Sequence, residues 1–292
     1  MDRVISLATL TVIELTPPEV VRCAALAGYS HASLRLLAVT SREPSYDILG
    51  DTPMRRELIS ALADTGVSVL DVEFVRLDAT VDLGSFLPLF ETAALLGAHN
   101  FLVAGYDAEE SRFVDRLAQL CDLAAPFGLN ANLEFFPWAD VSTLAQAQRV
   151  VAATGRRNAG ILIDALHFDR AGATLAEVDA IPPGAFHYMQ ICDAPASRPT
   201  TNDALIHHAR AERLYPGEGG LDLKGLLRHL PRDLPIGIEA PTRTRALTMA
   251  PVERARRARE ATLALLREIA ISDDVARDTP RGTKATSTEI HR

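Results

Sequence analysis

The chain has little cysteine and none of it is paired in spacing. Cys23, Cys121 and Cys192 are three scattered thiols among 292 residues. They offer neither a disulfide framework nor a Cys-x-x-Cys metal site, and they read as buried thiols of a reducing compartment. No apolar run approaches the ~18 residues that a membrane span needs. Basic charge is also in deficit: 30 Lys and Arg stand against 38 Asp and Glu, a formal net charge of −8. That balance argues against a nucleic-acid surface and for a cytoplasmic protein. No Gly-x-Gly-x-x-Gly follows the first strand-like run, which removes the usual sign of a dinucleotide sheet and with it an organic cofactor. Met1-Asp2-Arg3 leads directly into a strand-like segment, so no signal peptide is expected.

What the chain does have is hydrophobic residues, 48% of the total, arranged in a regular alternation. Short apolar runs recur at Val4–Leu10, Ser33–Leu37, Val67–Phe74, Phe101–Ala104, Leu129–Phe135, Ala159–Ile163, Phe186–Cys192 and Ile236–Glu239. Amphipathic stretches separate them, with helix starts at Thr16-Pro17, Thr52-Pro53 and Ser142 and stops at Gly28, Gly66 and Gly97. Strict strand–helix alternation implies a parallel sheet. Eight units of roughly 33 residues each fit a closed (β/α)8 TIM barrel. The predicted fold is α/β, a single barrel over residues 1–271. A disordered tail is expected over 272–292, where periodicity is absent. The segment Pro195–Gly219 reads as a long polar connection. Arg254, Arg256, Arg257 and Arg259 alternate with Glu253 and Glu260 and read as the solvated face of the last helix.

Four of the strand-like runs end on a side-chain oxygen: Glu134, Asp164, Gln190 and Glu239. Side chains alternate along a strand. In each run the bulky aliphatics occupy the opposite parity, so these four oxygens are expected to face the barrel interior. They are also at the C-terminal strand ends, where barrel enzymes place their chemistry. A buried polar group without a partner is costly. Three carboxylates and an amide oxygen share a natural partner in one hard divalent cation, Mg²⁺, Mn²⁺ or Co²⁺. The same alternation sends His187 outward, to pack on the helices. His167, three residues after Asp164, is placed as a support for the metal ligands, a substrate contact or a proton shuttle. Arg213, just before a Pro-Gly turn, is placed over the mouth as a substrate contact. Arg35, Arg76 and Glu73, near the ends of strands 2 and 3, are further substrate-binding candidates.

The chain resembles the xylose isomerase-like barrel superfamily of sugar isomerases and epimerases. The resemblance rests on Leu133-Glu134-Phe135, Asp164-x-x-His167, the segment ending Gln190-Ile191-Cys192-Asp193, Arg213 with Pro216-Gly217-Glu218-Gly219, and Ile238-Glu239. It implies metal ligation by Glu134, Asp164, Gln190 and Glu239, and substrate contacts from His167 and Arg213. Ketose epimerases of this group usually carry histidine at the position of Gln190. Bacterial 3-dehydroshikimate dehydratases include members with glutamine there and a similar Asp193-Ala194-Pro195. Those dehydratases carry a basic pair where this chain has Trp138-Ala139-Asp140.

The expected function is that of a metal-dependent isomerase or epimerase of a small polyhydroxylated ketone. A carboxylate, Glu134 or Glu239, takes the α-proton and an enediolate forms. The alternative is a lyase that dehydrates a cyclic hydroxyketone such as 3-dehydroshikimate. A more remote alternative is a non-catalytic sugar-binding barrel. The expected partner is a small molecule, with neither nucleic acid nor membrane, and a homo-oligomer is compatible with the barrel.

Overall fold

The computed structural model describes residues 3–40 and 43–278, with side chains as far as residue 272. Eight parallel strands close on themselves in chain order: β1 (Ile5–Ala8), β2 (His31–Arg35), β3 (Ser68–Asp78), β4 (Asn100–Tyr106), β5 (Asn130–Glu134), β6 (Ala159–Asp164), β7 (Met189–Ile191) and β8 (Ile236–Ile238). Closure is made by β1 against β8, with Ser6 opposite Gly237. The helices between them are α1 (Pro17–Leu26), α2 (Pro53–Thr65), α3 (Leu87–Leu95), α4 (Glu110–Ala124), α5 (Leu144–Thr154), α6 (Ala165–Arg170), α7 (Leu175–Asp179), α8 (Asn202–Ala211), α9 (Leu223–His229), α10 (Arg243–Ala246) and α11 (Pro251–Asp278).

Local chemistry sets the helix ends. Thr16 begins α1 with a capping box closed by Glu19. The Thr52 hydroxyl accepts from the Arg55 N–H at the start of α2, and Gly66 ends that helix in the left-handed region at φ 70°. Thr143 rather than Ser142 caps α5, because Gln146 reaches back to close the box from Thr143. Two elements differ from the sequence expectation. Part of the polar connection forms α8, capped by the Thr201 hydroxyl. Helix α11 runs on to Asp278, past the expected start of the tail at residue 272, and residues 279–292 lie outside the described residues.

Alternation sorts the strand side chains as read from the sequence. Leu133, Phe135, Ile161, Ile163, Met189, Ile191, Ile236 and Ile238 are buried in the layer between sheet and helices. Each such side chain contributes roughly 1.5–3 kcal/mol by leaving water. The interior is divided. Leu70, Phe74, Leu102, Ala104, Phe136, Leu162 and Tyr188 form a separate apolar cluster on the β3–β7 side. The β1–β3 side is polar, with Ser6 and Ser33 sharing a hydrogen bond of 2.8 Å. Beside it the Tyr188 hydroxyl donates to Asp71 at 3.1 Å. Burial, with Glu73 close by, pushes the Asp71 carboxyl well above the usual range.

His187 does not follow the parity expectation. It precedes β7, so the alternation of that strand does not govern it. Its imidazole lies over Gly160 of β6 and makes a 2.8 Å hydrogen bond with Asn132 of β5. Only the missing side chain of Gly160 leaves that space: a Cβ there would stand 2.5 Å from His187 Nδ1 and 2.9 Å from the Ala185 carbonyl. Gly160→Ala is therefore expected to destabilise the fold by about 1–3 kcal/mol through overpacking. Urea unfolding of the variant checks this, and a midpoint equal to that of the parent chain would refute the close-packing account.

Candidate functional site

The C-terminal strand ends bring Glu134, Asp164, Gln190 and Glu239 to one end of the barrel, all buried. Register explains their neighbours. Asp164 stands opposite Gln190 across β6 and β7, and Arg35 stands opposite Glu73 across β2 and β3. A cavity above them is lined by Arg35, Glu134, His167, Arg213 and Glu239. Its aromatic wall is Phe74, Phe136 and Trp138. Phe136 stacks on Trp138 at 5.5 Å, and His167 meets both rings edge-on at 4.7 and 5.1 Å.

Arg213 is the best-connected cation of the site. Its guanidinium donates to Asp164 Oδ2 at 2.5 Å and to the Glu239 carbonyl at 3.1 Å, and it pairs with Glu239 Oε2 at 3.0 Å. Its Nε donates to the Ala209 carbonyl at 2.7 Å. Asp193 explains how a loop residue is held so firmly. This buried carboxylate accepts the N–H groups of Ala194, Gly217, Gly219 and Leu221, and its own backbone pairs with Leu214. The Pro216–Gly219 turn is thereby tied to the end of β7, and Arg213 with it.

Electrostatics follows from these contacts. Burial pushes Glu134 well above the usual carboxylate range, with Asp164 and Glu239 adding to the effect. Burial also lifts Glu239 to about 7, against the opposing pull of Arg213. Burial would raise Asp164 too, but Arg213 and His167 hold it below its ordinary value. His167 is lowered to about 4, mainly by burial, so it is neutral near pH 7. Its Nε2 lies 3.8 Å from Glu134 Oε1.

The site fits a divalent cation in two respects. Glu134 Oε1 and Gln190 Oε1 are buried acceptors without a donor. The Gln190 amide nitrogen is turned to Glu73 at 3.3 Å and Glu239 at 3.4 Å, which leaves its oxygen free. Counted with all four carboxylates ionised, Glu73, Glu134, Asp164 and Glu239 exceed the two site cations Arg35 and Arg213 by two charges. Glu134, Asp164 and His167 bring one ligand atom each within 4.8 Å of one another. Glu239 is outside that group and is joined to Asp164 through Arg213.

The remaining sequence candidates divide. Arg35 and Glu73 are in the site, paired at 2.8 Å, and Arg35 is also 3.8 Å from Glu239. Arg76 is not: β3 continues beyond the rim, and its guanidinium lies 3.5 Å over the Tyr106 ring with its side chain half exposed. Reading by strand ends missed Phe136, Trp138 and Arg210, which also line the cavity. The one sequence signal for Arg210 was its place three residues before Arg213.

The chain belongs to the xylose isomerase-like TIM barrel family, whose sequence profile matches residues 28–269. It is 34% identical over 119 residues to an inosose isomerase of Bacillus velezensis, a stretch covering 39% of each chain. It is 29% identical over 120 residues to a 3-dehydroshikimate dehydratase of Pseudomonas aeruginosa, covering 41% of this chain and 18% of that protein. The alignments thus span about two fifths or less of these curated relatives. Among solved structures, the IolI protein with a bound zinc atom superposes with a TM-score of 0.73 at 19% identity, covering 91% of this chain and 98% of that one.

Removing Arg213 leaves two buried carboxylates facing each other. Arg213→Met is expected to cost about 3–5 kcal/mol in metal-free buffer at pH 8. The loss should shrink toward pH 5. Without the guanidinium, Asp164 and Glu239 titrate above their unfolded values, so protonation relieves the repulsion as pH falls. Unfolding midpoints at the two pH values measure this; a small, pH-independent difference would contradict it.

Proposed function

We propose that this chain is a divalent-metal-dependent isomerase or epimerase of a small polyhydroxylated ketone, working through an enediolate. The observation that carries the reading is a pair of buried carboxylates, Glu134 and Glu239, on well-separated strands of one small cavity. The match to inosose isomerase supports the same class. Glu134, Asp164, Gln190 and Glu239 are the residues that would hold the cation. When bound, it would supply Lewis-acid polarisation of the ketone oxygen.

The other steps belong to the side chains. A general base works best with its pKa near the working pH; burial lifts Glu239 to about 7 in the metal-free site, and it is the carboxylate placed to take the α-proton. Glu134, on the other side of the cavity, is the second carboxylate and can deliver a proton from the opposite face of the ring or chain. Return to the same carbon from the opposite face gives epimerisation, and return to the neighbouring carbon gives isomerisation. Neutral His167, beside Glu134, passes protons between that carboxyl and the substrate hydroxyls. Arg213 lines the cavity, holds Asp164 ionised and fixes Glu239 in place. The aromatic wall of Phe74, Phe136 and Trp138 excludes water from one side. Dehydration of a cyclic hydroxyketone is the second reading, supported by glutamine at 190 and by the match to a 3-dehydroshikimate dehydratase. In it, protonated Glu134 would serve the departing hydroxyl.

The test is exchange of the α-proton of inosose and of 3-dehydroshikimate in deuterated buffer, with Mn²⁺ present and products identified by NMR. Glu134→Gln and Glu239→Gln preserve volume and remove the base. Each is expected to lower exchange about 100–10,000-fold. Exchange near the parent rate in both variants, at unchanged metal content, would remove the carboxylates from the chemistry.

A further inference from the structure

Among the described residues, one cation lining the cavity is paired with no carboxylate. Arg210 ends α8, half buried, and lines the cavity together with Glu134, Trp138 and His167. It also lines a second, larger cavity of about 510 Å³ just outside, so it stands on the threshold between the inner site and the rim. Arg35 and Arg213 are consumed by carboxylates. Among the described residues, the Arg210 side chain has neither an ion pair nor a hydrogen bond. The acidic groups of the outer cavity are Glu14, Glu43 and Asp203. Glu14 is paired with Arg254. Glu43 accepts from the Val39 N–H at 3.0 Å and lies 3.6 Å from Arg35. Asp203 is exposed in the first turn of α8 and makes no ion pair with Arg210.

With all four ionised, the inner carboxylates exceed the inner guanidiniums by two, which one divalent cation would balance. Arg210 is then a surplus positive charge facing the cavity. A guanidinium so placed is a preorganised fork for a carboxylate or phosphate.

We propose that Arg210 is an anion subsite: the substrate carries a carboxylate or phosphate that pairs with Arg210, while its reacting ketone sits deeper, between Glu134 and Glu239. This rests on the ketone-enolising reading for the position of the reacting group, but the pairing itself does not. Binding is therefore measured apart from turnover.

Trp138 is the single tryptophan of the chain and lines the same cavity, so its fluorescence reports occupancy without interference. The probes are 3-dehydroshikimate as the carboxylate, ribulose 5-phosphate as the phosphate, and inosose and ribulose as neutral ketones, all with Mn²⁺ present. One of the two anions is expected to bind at least tenfold tighter than the neutral ketones. Arg210→Gln should weaken that anion about 10–100-fold, the range for a lost charge-assisted hydrogen bond. The neutral ketones should stay within twofold, and Arg210→Lys should recover part of the loss. The anion that responds identifies the group, carboxylate or phosphate. Equal binding of neutral and anionic probes by the parent chain, or an equal loss for both in Arg210→Gln, overturns the proposal. Selective anion binding without α-proton exchange would keep the subsite and remove the enolising reading.

Discussion

The bridge from Arg213 to Asp164 and Glu239 is the interaction on which the rest of the site depends. It places a fixed positive charge among carboxylates that could not otherwise share so small a space. At close range two buried like charges repel strongly, and one of them gives up its ionisation. Here the guanidinium decides which: Asp164, which it touches most closely, stays ionised, while Glu134, without such a partner, is driven toward its protonated form. A difference in proton affinity between neighbouring carboxyls is what acid–base chemistry on a ketone requires.

The fold delivers this arrangement through two anchors. Register sets the carboxylates, because a barrel strand has no freedom to rotate its end residue away from the mouth. Asp193 sets the arginine, because four backbone N–H groups converge on its carboxylate and fasten the Pro216–Gly219 turn to β7. Asp164 serves both anchors. One oxygen caps α6 by accepting from the N–H groups of Leu166 and His167, and the other receives Arg213. Helix α6, and with it His167, is thereby positioned by the same carboxylate that fixes the arginine.

Most of this was legible from periodicity. The eight strands and the inward parity of Glu134, Asp164, Gln190 and Glu239 follow from alternation, which is a local property of the chain. What was not legible depends on partners distant in sequence. The pairing of Arg213 with Asp164 and Glu239 crosses 49 and 26 residues. His187 turned inward because a glycine on another strand left it room. Arg76 was assigned to the mouth because the extra length of β3 beyond the barrel cannot be read from its apolar pattern. The helix α8 was hidden by its polar composition, since it covers the mouth rather than the core, and Arg210 was hidden with it.

The central claim is that the buried carboxylates are arranged for one divalent cation alongside Arg213. Anomalous diffraction from a Mn²⁺-loaded crystal tests it most directly. The account predicts a single strong peak at the C-terminal mouth, bonded to oxygens of Glu134, Asp164, Gln190 and Glu239. A peak elsewhere, or no peak at saturating Mn²⁺ with Arg213 still spanning Asp164 and Glu239, would contradict it.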